Sequence, residues 1–290
     1  MTTDAMQGAR SASAARAPGG ASAPATPVSE PLLQLRAINK SFGSVRALSD
    51  ITLEVPAGQV TALVGDNGAG KSTLIKAIAG IAPPDHGEMY WKGKPARIHT
   101  PRDASALGIA TVFQDLALCD NLDIVQNLYL GRERLRVHTL DENTMELGAK
   151  QALADLSVVT VRSIRQLVAS LSGGQRQAVA VAKAVMGHAE LVIMDEPTAA
   201  LGVTQTAQVL ALIKRLAERG IAVLVISHNL RDVFEVADRI AVLYLGRLAG
   251  EGPISQFDTQ NTVEMITTGT ATPRSAADSA APTPSDAKDH

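Results

Sequence analysis

A single cysteine, Cys119, rules out an internal disulfide and fits a reducing compartment. Aromatic residues make up only 3% of the chain, too few for the stacking platforms that grip single-stranded nucleic acid. The formal net charge is −2, so bulk electrostatics give no attraction to a polyanion. Apolar runs such as Ile221 to Ile226 are strand-sized and far short of the roughly 20 residues of a membrane-spanning helix. Any membrane association is therefore expected to be peripheral. Hydrophobic residues nevertheless reach 46%, enough for a substantial core.

Residues 1–31 are rich in Ala, Ser, Pro, Thr and Gly, and no apolar periodicity runs through them. They read as a disordered tail. Their Arg-and-Ala, acid-poor character faintly suggests a transit peptide, but no apolar segment of a secretory signal is present. Residues 271–290 return to Ala, Pro, Ser and Asp and read as a second disordered tail. The folded region is expected over 32–270.

The stretch Gly65-Asp66-Asn67-Gly68-Ala69-Gly70-Lys71-Ser72-Thr73 fits G-x-x-x-x-G-K-[ST], the phosphate-binding P-loop. The apolar run Val60 to Val64 reads as a buried strand before it, and Thr73 to Ala79 as a helix after it. Successive backbone N–H groups in such a loop form an anion nest, and the helix N-terminus adds partial positive charge. Lys71 is placed to reach the β- and γ-phosphates of a nucleotide, and the Ser72 hydroxyl to hold Mg²⁺.

Other segments follow in order. Leu33 to Ala37 and Ile51 to Val55 read as strands. Phe42 between them is either a core residue or an exposed ring for stacking on adenine. Glu88 to His99, with the turn Lys92-Gly93-Lys94, suggests a hairpin in which Tyr90 and Trp91 pack. Leu107 to Val112 reads as a buried strand leading into Phe113-Gln114-Asp115. From about 116 to 173 the pattern turns helical, with Asp141 capping a helix that carries Met145, Ala149, Leu153 and Leu156 on one face. Leu171-Ser172-Gly173-Gly174-Gln175 opens a further helix. Ser172 and Gln175 have capping-box spacing, and the paired glycines imply a close approach to the backbone.

Leu191 to Met194 is an apolar strand ending in Asp195-Glu196. Beside a P-loop, Asp195 can join the Mg²⁺ shell and Glu196 can polarise an attacking water. A helix over Thr204 to Arg219 and a strand over Ile221 to Ile226 lead to Ser227-His228-Asn229. Read locally, a lone histidine after a strand is more often structural. A short helix, a closing hairpin over 240–252 and a last helical turn or two complete the folded part.

With the P-loop, Gln114, Leu171 to Gln175, Asp195-Glu196 and His228 in this order, the chain resembles the ATP-binding subunit of an ABC transporter. The resemblance implies an α/β P-loop NTPase fold with a RecA-like core, an antiparallel β subdomain and an inserted helical subdomain. It implies that Phe42 stacks on adenine and that Gln114 touches Mg²⁺ or the attacking water, next to a permease contact. Ser172, Gly173, Gly174 and Gln175 would bind the ATP held by a partner subunit. His228 would contact the γ-phosphate and act with Glu196. Pro197 to Gly202, Phe113 to Leu118 and Ile226 to Asn229 look like the carbohydrate-importer branch of ribose, xylose and fructose type. One departure stands out, because Gly202 occupies a position where the family usually has aspartate.

The resemblance implies ATP and Mg²⁺ as ligands and a homodimer on the cytoplasmic face of the membrane. The expected partners are permease subunits and, through them, a periplasmic or lipid-anchored sugar-binding protein, with no nucleic acid. A different cargo is the nearest alternative, since cargo is chosen by proteins outside this chain. A non-transport relative acting on DNA or the ribosome would need a second ATPase domain, zinc-binding cysteines or long coiled coils. A soluble P-loop kinase or GTPase would lack the Leu-Ser-Gly-Gly-Gln stretch.

Overall fold

The computed structural model describes residues 30–158 and 161–270. The expected tails, apart from Glu30 and Pro31, lie outside the described residues. In chain order the elements begin with β1 (Leu33–Phe42), β2 (Val45–Val55), β3 (Val60–Gly65), α1 (Lys71–Ile78), β4 (His86–Trp91) and β5 (Lys94–Ala96). Next come α2 (Pro101–Ala106), β6 (Ile109–Val112), α3 (Ile124–Tyr129), β7 (Leu135–Arg136), β8 (Thr139–Leu140), α4 (Glu142–Asp155) and α5 (Gly173–Val185). The chain continues through β9 (Leu191–Asp195), α6 (Val203–Glu218), β10 (Ala222–Ile226), α7 (Leu230–Val236), β11 (Arg239–Tyr244), β12 (Arg247–Pro253) and α8 (Thr259–Thr268).

Six strands form one sheet in the order β12-β11-β3-β10-β9-β6. All but the edge strand β12 run parallel, as their pairings show. Parallel strands buried on both faces read as continuous apolar runs, and β3 and β10 are buried at every position. Alternate residues serve two cores. Leu63, Ile193, Leu224 and Leu243 face a cluster with Leu74, Ile75 and Ile78 of α1 and Leu33 and Leu35 of β1. Val64, Met194, Val225 and Val242 face a cluster with residues of α5, α6 and α7.

A separate antiparallel sheet, β2-β1-β4-β5, lies over the α1 side. The helices α3 and α4 and the small β7–β8 hairpin occupy the stretch between β6 and α5. The architecture is thus a mixed α/β fold with a RecA-like core, an antiparallel β subdomain and an inserted helical subdomain.

Several elements differ from their sequence-based extents. β1 and β2 run on to Phe42 and back from Val45, so Phe42 sits at a hairpin tip and is 52% exposed, not a core residue. The strand expected from Leu107 begins at Ile109. The short helix α2 precedes it, Leu107 caps that helix, and Gly108 turns the chain at φ +86°.

Candidate functional site

The sheet brings the chemistry together at one edge. Val112 pairs with Met194, and Asp195 pairs with Ile226, which also pairs with Leu63. Gln114, Asp195-Glu196, His228 and the P-loop therefore all leave the C-terminal ends of four adjacent parallel strands, where ligands bind in open α/β sheets.

The P-loop wraps the start of α1. Gly70 is the N-cap at φ +105°, and a Cβ there would lie 2.7 Å from the Ala47 carbonyl oxygen, so only glycine fits. Lys71 is nearly buried, and its Nζ donates to the carbonyl oxygens of Gly65 at 2.8 Å and Asp66 at 2.9 Å. Burial lowers the Lys71 pKa, while Glu196, Asp66 and Asp195 pull it back up. Burial raises the pKa of the half-buried Asp195 carboxyl, reinforced by the neighbouring Glu196 and opposed by Lys71 and Lys76.

Glu196 follows β9 in the left-handed region at φ +50°, fixed by its N–H donating to the Ile226 carbonyl at 2.9 Å. Its Oε2 lies 2.8 Å from Nδ1 of His228, which is itself largely exposed. The histidine is thus paired with the carboxylate and not packed into the core.

A cleft of about 510 Å³ opens over these groups. Asn67, Gly68, Lys71, Ser72 and Thr73 form its floor, and Gln114, Asp195 and Glu196 one wall. The facing wall, which no motif singles out, consists of Val45, Arg46 and Ala47 of β2 with Leu245 and Gly246 of the β11–β12 turn. That turn is docked by Gly246, whose N–H donates to Ala69 and whose carbonyl accepts from Ser49. Phe42 stands outside the lining but directly opposite Val45 in the β1–β2 register. The hydroxyl, amide and carboxylate oxygens of Ser72, Gln114 and Asp195 are the hard donors that suit Mg²⁺.

Ser172 to Gln175 do not join this cleft. Ser172 caps α5 reciprocally with Gln175, as its spacing indicates. The close approach to the glycines comes from this same chain. A Cβ on Gly173 would meet Leu201 at 2.6 Å, and one on Gly174 would meet Gln205 at 3.2 Å. Gly202, in the same turn, is the N-cap of α6 without any side-chain cap.

A family model described as "ABC transporter" matches residues 48–199. The chain is 44% identical over 236 residues to the xylose/arabinose import ATP-binding protein of Sulfolobus acidocaldarius, covering 81% of this chain and 94% of that protein. It is 46% identical over 225 residues to the fructose import ATP-binding protein of Rhizobium meliloti, covering 75% of this chain and 86% of that one. A ribose import ATP-binding protein of Caldanaerobacter subterraneus is 39% identical over 238 residues, but the match spans 48% of its length. Among solved structures, a nucleotide-free ATP-binding cassette from an ABC transporter superposes with a TM-score of 0.70 at 27% identity, covering 81% of this chain and 98% of that one. On these matches the chain belongs to the ABC transporter family as an ATP-binding and ATP-hydrolysing subunit.

Proposed function

We propose that this subunit energises import of a monosaccharide, a pentose or a fructose-like sugar, as a homodimer on the cytoplasmic face of the membrane. The observation that carries the cargo class is the pair of near full-length relatives named for xylose/arabinose and fructose import. Among the described residues no helix is long and apolar enough to cross a membrane. In this reading the transport path is formed by permease subunits, supplied by a periplasmic or lipid-anchored sugar-binding protein.

The residues divide by what they can do. Gly65 to Thr73 cradle the phosphates, with Lys71 neutralising the β/γ region. Phe42 stacks on adenine. Ser72, Gln114 and Asp195 would hold Mg²⁺, which would supply positive charge against the phosphates. Glu196 accepts a proton from the attacking water, and His228, hydrogen-bonded to it, keeps the carboxylate oriented. Gln114 joins them from the same wall of the cleft. Ser172, Gly173, Gly174 and Gln175 serve the ATP on the partner subunit's P-loop. Their position outside the cleft supports a site that only a second copy completes. ATP then favours the closed dimer because it touches both subunits only in that state.

A second cleft of about 510 Å³ begins beside Gln114, and Phe113, Leu116, Leu130, Arg132 and Lys183 are among its lining residues. Burial lowers the pKa of both Arg132 and Lys183. Two partly desolvated cations in this cleft suit an acidic permease segment, and this supports a permease contact next to Gln114.

The test is uptake of labelled monosaccharides by cells lacking other importers for them, carrying either wild-type protein or Lys71→Ala. Selective loss of one or a few sugars is expected. Unchanged uptake of every sugar, with the variant present and wild-type protein hydrolysing ATP, overturns the sugar reading. In vitro, Glu196→Gln is expected to bind ATP and trap a dimer while turnover falls about 10²- to 10⁴-fold. Wild-type turnover, or a monomer at saturating ATP, contradicts the role of Glu196.

A further inference from the structure

Asp85 lies in the loop after α1, remote in sequence from Phe42, yet it bonds three consecutive residues that lead to that ring. Its N–H donates to the Asn39 carbonyl at 2.8 Å. Its Oδ2 accepts from the Ser41 N–H at 2.7 Å, and its Oδ1 accepts from Nζ of Lys40 at 2.8 Å. Asn39 is held in turn, its amide donating to Ala37 and its Oδ1 accepting from the Asp50 N–H. The Lys40 side chain is only 15% exposed and sits over the Phe42 ring, 5.6 Å from the centroid. The Lys40 and Ser41 bonds hold the Asp85 carboxyl below its ordinary range, so it is ionised at neutral pH.

We propose that Asp85 and Lys40 are positioning residues for the nucleotide base. Asp85 pins the end of β1 and draws the Lys40 ammonium over one face of Phe42, leaving the exposed half of the ring to receive adenine beside Val45. The proposal rests on the reading of Phe42 as the stacking residue. The logic is pre-organisation. A ring already fixed by a cation on one face loses less freedom when a base stacks on the other.

The experiment is a double-mutant cycle on the full chain with Asp85→Asn, Lys40→Met and Phe42→Ala. It measures Kd for ATP, Kd for inorganic tripolyphosphate, which has no base, and kcat and KM for ATP hydrolysis. Phe42→Ala is expected to weaken ATP binding about tenfold. Asp85→Asn and Lys40→Met are each expected to weaken it about two- to fivefold, raising KM with kcat unchanged. Both should leave tripolyphosphate binding untouched and add nothing once Phe42 is alanine.

Loss of tripolyphosphate affinity, or an undiminished effect in the Phe42→Ala background, overturns the proposal by showing that Asp85 acts through the phosphate end. Normal ATP binding by both Asp85→Asn and Lys40→Met, with Phe42→Ala weakened, overturns the clamp alone. Normal binding by Phe42→Ala overturns the stacking reading beneath it. Lys40→Met carries the test by itself if Asp85→Asn does not fold.

Discussion

Asn127→Ala removes four hydrogen bonds and leaves one backbone group stranded. The Asn127 side chain is fully buried in α3 and stitches the loop before it. Its Nδ2 donates to the carbonyls of Cys119 at 3.0 Å, Leu122 at 3.3 Å and Asp123 at 3.0 Å, and its Oδ1 accepts from the Cys119 N–H at 2.7 Å. The three carbonyls keep other partners, because Leu122 N–H reaches Cys119, Val168 N–H reaches Leu122 and Asn127 N–H reaches Asp123. Only the Cys119 N–H has no alternative among the described residues. An orphaned, partly buried donor costs about 1 kcal/mol, and the void left by the amide about 1 kcal/mol more. A loss of about 2 kcal/mol is expected, which lowers Tm by about 4–8 °C in a domain of this size.

The assay is urea unfolding followed by circular dichroism, with thermal unfolding beside it. Asn127→Asp is the companion variant. It restores an acceptor for Cys119 but turns a carboxylate toward three carbonyl oxygens. It should be less stable than the alanine variant at neutral pH. Its folded pKa is raised, so the lost stability returns as pH falls through that value. A cost below about 1 kcal/mol for Asn127→Ala, or an aspartate variant as stable as wild type at pH 7, refutes the assignment of these bonds as the tie that holds the loop.

Two further outcomes follow from side chains outside the cleft. Burial raises the pKa of Glu251 above 4.5, against the opposing pull of the Glu54 N–H and Arg239. Its contribution to stability is full below pH 4.5 and is lost as pH rises through the folded pKa. Glutamine does not titrate, so the stability difference between Glu251→Gln and wild type should move in favour of glutamine as pH rises from 4.5 through the folded pKa. A flat or opposite trend in denaturation across that range rejects it. Gly202 caps α6 in extended geometry (φ −74°, ψ 161°), with nothing within 4 Å of an added Cβ. Gly202→Asp should stabilise by about 0.5–1 kcal/mol through capping and the helix dipole, visible as a Tm rise of about 1–4 °C. A fall in Tm contradicts it.

The legible parts of the sequence were those in which several demands coincide within a few residues. Lys71 and Gly70 announce themselves because a backbone nest, a glycine-only conformation and a charge must adjoin. Asp195-Glu196 stands out because carboxylates rarely end a buried strand. The cap at Asp141 and the capping pair at Ser172 were readable for the same local reason.

What escaped depended on distant or short-range partners. α2 has a single buried residue, Ala104, and hence no hydrophobic period, although Thr100-Pro101 with Asp103 spelled a capped start. The β7–β8 hairpin pairs two residues with two, all exposed, and shows no alternation against a core. Arg46 and Leu245 line the cleft only because β2 and the β11–β12 turn meet the P-loop in space. The paired glycines at 173 and 174 signalled a close neighbour without naming it, and Leu201 and Gln205 fill that place within this chain.

The neighbouring positions of β6 and β9 carry an engineering consequence. The chain leaves the sheet just before Gln114 and rejoins it at Leu191 on the adjacent strand. α3, the β7–β8 hairpin, α4 and α5 are therefore a detour whose two ends are anchored side by side. Lengthening, trimming or exchanging the detour changes what the protein can grip. It leaves the spacing from Gln114 to Asp195 to the strand register, as a ruler holds its marks whatever is hung between them.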